Sequence, residues 1–84
     1  MTETLYVAVV IGDGPYYGMV PDFSLMASGD TDAGVVTQLQ TLTNESVALS
    51  QRYGTPIPVA TSSEVIKAHW KGDQYQFSSV VVRV

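Results

Sequence analysis

Apolar and polar positions change their spacing repeatedly along this chain, and each change marks an element. Leu5-Tyr6-Val7-Ala8-Val9-Val10-Ile11 is an unbroken apolar, largely β-branched run closed by Gly12-Asp13-Gly14-Pro15, which reads as a strand and a turn. Without polar alternation this strand needs cover on both faces, as a central strand has. Tyr16-Tyr17-Gly18-Met19-Val20 is short enough to be the returning arm of a hairpin, and Pro21-Asp22 breaks it. Phe23 to Ser28 then alternates, with Phe23, Leu25 and Ala27 on one side and Ser24, Met26 and Ser28 on the other, before Gly29-Asp30 stops it. That pattern predicts a third strand, antiparallel to the second.

From Thr31 the period becomes helical. Val35, Leu39, Leu42, Ser46, Leu49 and Tyr53 recur at three- and four-residue spacings and predict one buried stripe along a helix from Asp32 to Arg52. Thr31 suits the N-cap, Asp32 suits the positive end of the helix dipole, and Gly54 tolerates the left-handed conformation that ends a helix. Gly34, Thr37, Thr41, Thr43 and Asn44 are indifferent helix formers, so this helix depends on packing. Thr55-Pro56-Ile57-Pro58 is extended by proline geometry, and Ser62-Ser63-Glu64 opens a short capped helix reaching His69 or Trp70. After a turn at Lys71-Gly72-Asp73, Gln74 to Val84 forms a long last strand, with Tyr75, Phe77, Ser79 and Val81 on one face and Gln76, Ser78, Val80, Val82 and Val84 on the other.

This order of elements predicts a single α+β domain over residues 1–84, built on a four-stranded mixed sheet whose last strand lies beside the first. The long helix acts as a right-handed crossover that makes its flanking strands parallel, and both helices cover one face. The opposite face, with its share of Tyr6 or Leu5, Val10 and Val82, is left bare. Association is the expected remedy, most simply as a homodimer or a higher homo-oligomer.

Composition narrows the functions open to such a domain. The 84 residues have room for one core only, and eight acidic against four basic residues give a net charge of −4. Arg52, Lys67, Lys71 and Arg83 cannot form the positive stripe that phosphate backbones require, so direct nucleic-acid binding is not expected. The absence of cysteine excludes disulfides, thiolate chemistry and cysteine zinc sites, and the lone His69 has no second histidine with which to hold a metal. The longest apolar run is far short of the ~20 residues a membrane span needs, and no basic leader precedes it; a cytoplasmic protein without membrane contact is expected.

Catalysis finds no footing in the side chains. Asp13, Asp22 and Asp30 could be oxygen ligands for a hard cation, but each adjoins Gly or Pro, where an aspartate caps its own turn. A two-metal nuclease needs carboxylates on its central strands, and none stands between Leu5 and Ile11 or between Gln74 and Val84. His69, beside Trp70 and Lys71, reads as a helix-end residue and not as a general base. No catalytic residue, metal or cofactor is expected. Of Tyr16 and Tyr17, strand alternation sends one into the core and leaves the other for a contact surface.

Taken together, Tyr6-Val7-Ala8-Val9-Val10-Ile11, the glycine turn, Tyr16-Tyr17, Val20-Pro21-Asp22-Phe23, Gly29-Asp30-Thr31 opening a helix, then Gly54, Ile57-Pro58 and a valine-rich last strand resemble the HicB-like antitoxin family. The resemblance covers nearly the whole chain, and Pro-Asp-Phe followed by Gly-Asp-Thr is its most specific part. It implies a partial RNase H-like fold and a non-catalytic antitoxin that binds and occludes a small basic ribonuclease toxin of the HicA type. Two departures stand out: Ser24-Leu25 occupy the place of the family's Pro-Gly, and Ala33-Gly34 that of an acidic-alanine pair, which removes a capping-box carboxylate. Many members carry a DNA-binding segment after this domain; none follows Val84, so operator binding by this chain is not expected. The alternative is a stand-alone, self-associating HicB-like domain with a scaffolding or ligand-binding role. Tyr17, Asp22, Phe23, Asp30 and Thr31 are the candidate partner-binding residues, the last four as neighbours on one rim of the sheet, where acidic charge favours a basic partner.

Overall fold

The structure is a computed structural model that describes residues 3–83. Strand β1 (Glu3–Gly12) turns through a cis Gly14–Pro15 bond into β2 (Tyr16–Val20), and a single 3-10 turn (Pro21–Phe23) leads to β3 (Leu25–Gly29). Helices α1 (Asp32–Tyr53) and α2 (Ser63–His69) precede β4 (Tyr75–Arg83). The strands form one sheet in the order β3-β2-β1-β4, with β4 beside β1 as the apolar character of β1 requires. Pro21 to Phe23, read as strand from Phe23 onward, coil instead. Ser24 closes that coil in the left-handed conformation, φ 55°.

Every strand pair is antiparallel, so the sheet is not mixed. The correction comes from the return path. α1 runs back along one face, residues 54–62 pass round the end of the sheet, and α2 climbs the opposite face before β4 descends beside β1. A helical crossover alone would have left β4 parallel to β3; the second pass along the sheet by α2 reverses it.

The two helices consequently lie on opposite faces, not on one. Against α1 pack Tyr6, Ala8, Val10, Val20, Val80 and Val82, and against α2 pack Val7, Val9 and Phe77, with Ile66 and Trp70 supplied by the helix. Val10 and Val82, expected on the bare face, are core residues beneath α1. The buried stripe of α1 also differs from the expected one: it is Val35, Leu39, Thr43 and Val47, while Leu49 and Tyr53 are exposed. Val47 is the last buried position of the helix, and its final turn stays exposed. Thr43 is tolerated in the core because its hydroxyl donates to Leu39 O at 2.7 Å.

Caps and a close approach fix α1 in place. Gly34 N–H donates to Thr31 Oγ1 at 3.0 Å, and Gly54 ends the helix at φ 68°. Gly18 of β2 lets the helix sit directly on the sheet: a Cβ there would lie 2.5 Å from Val35 Cγ1 and 3.1 Å from Leu39 Cδ1, both on fully buried side chains. Two glutamines of α1 then reach the two sheet edges. Gln38 Nε2 donates to Ser28 O of β3 at 2.8 Å, whereas Gln40 both donates to Val81 O at 2.7 Å and accepts from Val81 N–H at 2.8 Å. Gln40 thereby stands in for the peptide group of a further strand on the β4 edge. No helix of the described residues is long and apolar enough to cross a membrane.

Gly18→Ala tests the close approach. The added methyl forces Val35 and Leu39 apart in a filled core, and the expected loss is about 1–3 kcal/mol in urea unfolding. Wild-type stability in that variant would show that the helix does not rest on β2.

Candidate functional site

Two places on the molecule gather the residues that sequence patterning singled out, and they differ in kind. At the end of the sheet where β2 passes into β3, Asp22 faces the connection between the helices: Thr61 N–H donates to Asp22 Oδ2 at 2.9 Å and Thr61 Oγ1 donates to Asp22 Oδ1 at 2.6 Å. Phe23 meets the ring of Tyr6 edge-on at 4.7 Å, and Tyr6 OH donates to Pro58 O at 2.5 Å. Asp22 and Phe23 therefore spend their side chains on holding residues 58–61 against the core. Burial, and after it the negative charge of Asp22, raises the pKa of Tyr6 above its ordinary value, which is about 10.

Asp30 and Thr31 lie at the other end of β3, about 17 Å from that clamp by the rise of its five residues, so the four candidates do not share a rim. Thr31 is the cap of α1, and Asp30 is exposed. Asp13, in the turn that joins β1 to β2, belongs to the same end as Asp30, away from Asp22. Among the described residues no three His, Cys, Asp or Glu side chains come close enough to hold a metal ion. His69, the last residue of α2, is exposed and contacts the ring of Trp70 at 5.6 Å.

Tyr17 leads to the second place. The pairs Ile11↔Tyr17 and Met19↔Met26 set these side chains on the face that carries α2. There Lys67 lies over the ring of Phe77 and Trp70 stands edge-on to Tyr75, so α2 covers the β1 and β4 half of the face. The β2 and β3 half has no such cover: Tyr17 is 54% exposed and Met26 72%. Between these strands and Trp70 is a shallow hollow of about 100 Å³, lined by Val9, Ile11, Tyr17, Gly18, Met19, Met26, Trp70 and Tyr75. Its walls are apolar and uncharged, so it suits contact and offers no group for chemistry. Tyr16, the other member of the tyrosine pair, packs on the core beneath α1.

Sequence patterning marked Tyr17 but passed over Met26 and Ile11. Met26 shares its side of the strand with Ser24 and Ser28, and only the register against Met19 shows that it continues an apolar surface. Comparison of the chain with family models, with curated proteins and with solved structures finds no match in any of the three. What is shown is an α+β domain with a four-stranded antiparallel sheet, a helix on each face and an uncovered apolar quarter.

The Tyr6 environment gives a pH test. Because the folded value is raised, the fold favours the neutral phenol: the associated stability is complete below the ordinary tyrosine pKa of about 10 and is lost as pH rises from there through the folded value. Spectrophotometric titration of tyrosinate should show a late step that Tyr6→Phe removes, while stability falls over the same alkaline range. Titration curves of identical shape for the two proteins would contradict the assigned environment.

Proposed function

We propose that this chain is a non-catalytic protein-binding module of HicB-like type, an antitoxin whose partner is a small basic ribonuclease of the HicA type that it occludes. The observation carrying this reading is the uncovered apolar surface around Tyr17 and Met26, on a domain small enough that leaving such side chains in water costs a noticeable part of its stability. A net charge of −4 supports a basic partner, since complementary charge speeds encounter and rejects acidic competitors. β1 and β4 bear no carboxylate between Leu5 and Ile11 or between Gln74 and Arg83, whereas a two-metal nuclease needs such groups on its central strands. The role is therefore to bind and cover.

A second reading, a stand-alone self-associating domain of HicB-like fold with a scaffolding or ligand-binding role and no toxin partner, draws on the same surface. The hollow is uncharged, so two copies could bring their hollows together without burying an unpaired charge.

Co-expression with any small basic protein encoded beside it separates the readings. The antitoxin reading expects a complex of fixed stoichiometry in which RNA cleavage by the partner is suppressed. A dimer of the isolated chain in sedimentation, with no complex and no inhibition, supports self-association. A monomer that forms no complex contradicts both.

A further inference from the structure

Charge in this chain is segregated along the sequence, and the fold turns that into segregation across the sheet. All four basic residues lie at or after Arg52, together with Glu64 and Asp73, whereas the other six acidic residues, Glu3, Asp13, Asp22, Asp30, Asp32 and Glu45, precede it. α1 begins over β3, where Gln38 meets Ser28, and ends beside β4, where Val47, Ala48 and Gln51 line a groove with Val81 to Arg83. Arg52 is thus carried to the β4 side, which also holds Lys67 over Phe77 and Arg83 paired with Glu3. β2, β3 and the turns that flank them hold Asp13, Asp22, Asp30 and Asp32 and no basic residue.

The two sheet edges differ in the same sense. On β4, Gln40 occupies both polar groups of Val81, and Arg83 places a cation at the end of the strand. β3, Leu25-Met26-Ala27-Ser28-Gly29, contains no lysine, no proline and no inward charge, the devices by which natural edges refuse a partner strand. Gln38 reaches only Ser28 O, with an exposed side chain that an arriving strand can displace. Directly beside this edge, on the face α2 leaves open, lie Tyr17 and Met26.

Building on the binding-module reading, we infer that the β3 edge accepts an extended segment of a basic protein as a fifth strand. The added strand pairs with the backbone of residues 25–29, its apolar side chains continue the Tyr17 and Met26 surface, and its lysines or arginines face Asp30 and Asp32 at the end of β3. Charge selects this occupant over a second copy. Antiparallel pairing of two β3 edges would set the Asp30 and Asp32 end of each copy against the Asp22 end of the other, with no basic residue on either strand or its flanking turns to offset the like charge.

The probe is a synthetic peptide in which valine alternates with lysine, beside a counterpart with glutamate in place of lysine, each titrated into the isotopically labelled protein while amide shifts are followed. The lysine peptide should move the amides of Leu25 to Gly29, bind more weakly as salt rises, and lose affinity at least about tenfold in Met26→Lys, which adds a cation to the edge. The glutamate peptide should leave those amides in place. An unchanged amide spectrum away from β3 verifies that Met26→Lys folds. Equal binding of both peptides, binding of neither, or shifts confined to Trp70, Tyr75 and Phe77 would overturn the inference. So would a dimer of the free chain in sedimentation with residues 25–29 protected from exchange. Failure of the binding-module reading is distinguishable, because it shows as absence of the co-expressed complex, whereas a complex that survives Met26→Lys removes only the β3 edge.

Discussion

The architecture depends on how residues 55–62 are held. This stretch has no regular structure of its own, yet it must bring the chain from one face of the sheet round to the other. Asp22 grips Thr61 through both carboxylate oxygens, Tyr6 donates to Pro58 O, and Ile57 and Ala60 pack on the core beneath α1. The hydrogen bonds span 39 and 52 residues of sequence, and each uses a side chain that the local pattern alone would assign to a strand or a turn. Once the stretch is tied down, α2 can begin only on the far face, and β4 must then run antiparallel to β1.

The uncovered surface follows from that placement. α2 has seven residues and spans about 10 Å, enough to seat Ile66 and Trp70 over β1 and β4 but not to shield β2 and β3. α1 covers both halves of its own face because it is long and because Gly18 lets it settle on β2. The asymmetry between a long helix on one side and a short one on the other leaves Tyr17 and Met26 in water, beside the one edge that no side chain plugs with a full pair of hydrogen bonds.

Much of the fold was legible in the sequence where local physics decides it. The bounds of β2, the Thr31 cap, the Gly54 stop, the short helix opening at Ser63 and the pairing of β4 with β1 follow from turn residues, caps and unbroken apolar runs. The faces of the sheet were not legible, because they depend on where residues 55–62 are tied, and the partners Asp22 and Thr61 are 39 residues apart. The stripe of α1 was misplaced in its second half, where leucine and tyrosine fit a helical period but the helix turns Thr43 and Val47 to the core instead. Of the candidate site, Tyr17 was visible through strand alternation, whereas Asp22 and Phe23 carried polar and aromatic signals that the fold spends on the clamp. The absence of any lysine or arginine before Arg52 was present in the sequence, but only the strand order gives it a location.

Hydrogen exchange in the paired substitution Asp22→Leu with Thr61→Val tests the central claim, that this clamp positions α2 and through it the open quarter of the sheet. Removing both partners avoids stranding a half-buried carboxylate. The account predicts that the amides of Ile66 and Trp70, which donate to Ser62 O and Ile66 O, lose protection while those of β1 and the first half of α1 retain it. Unchanged protection in α2, or a uniform loss over the whole chain, would contradict it.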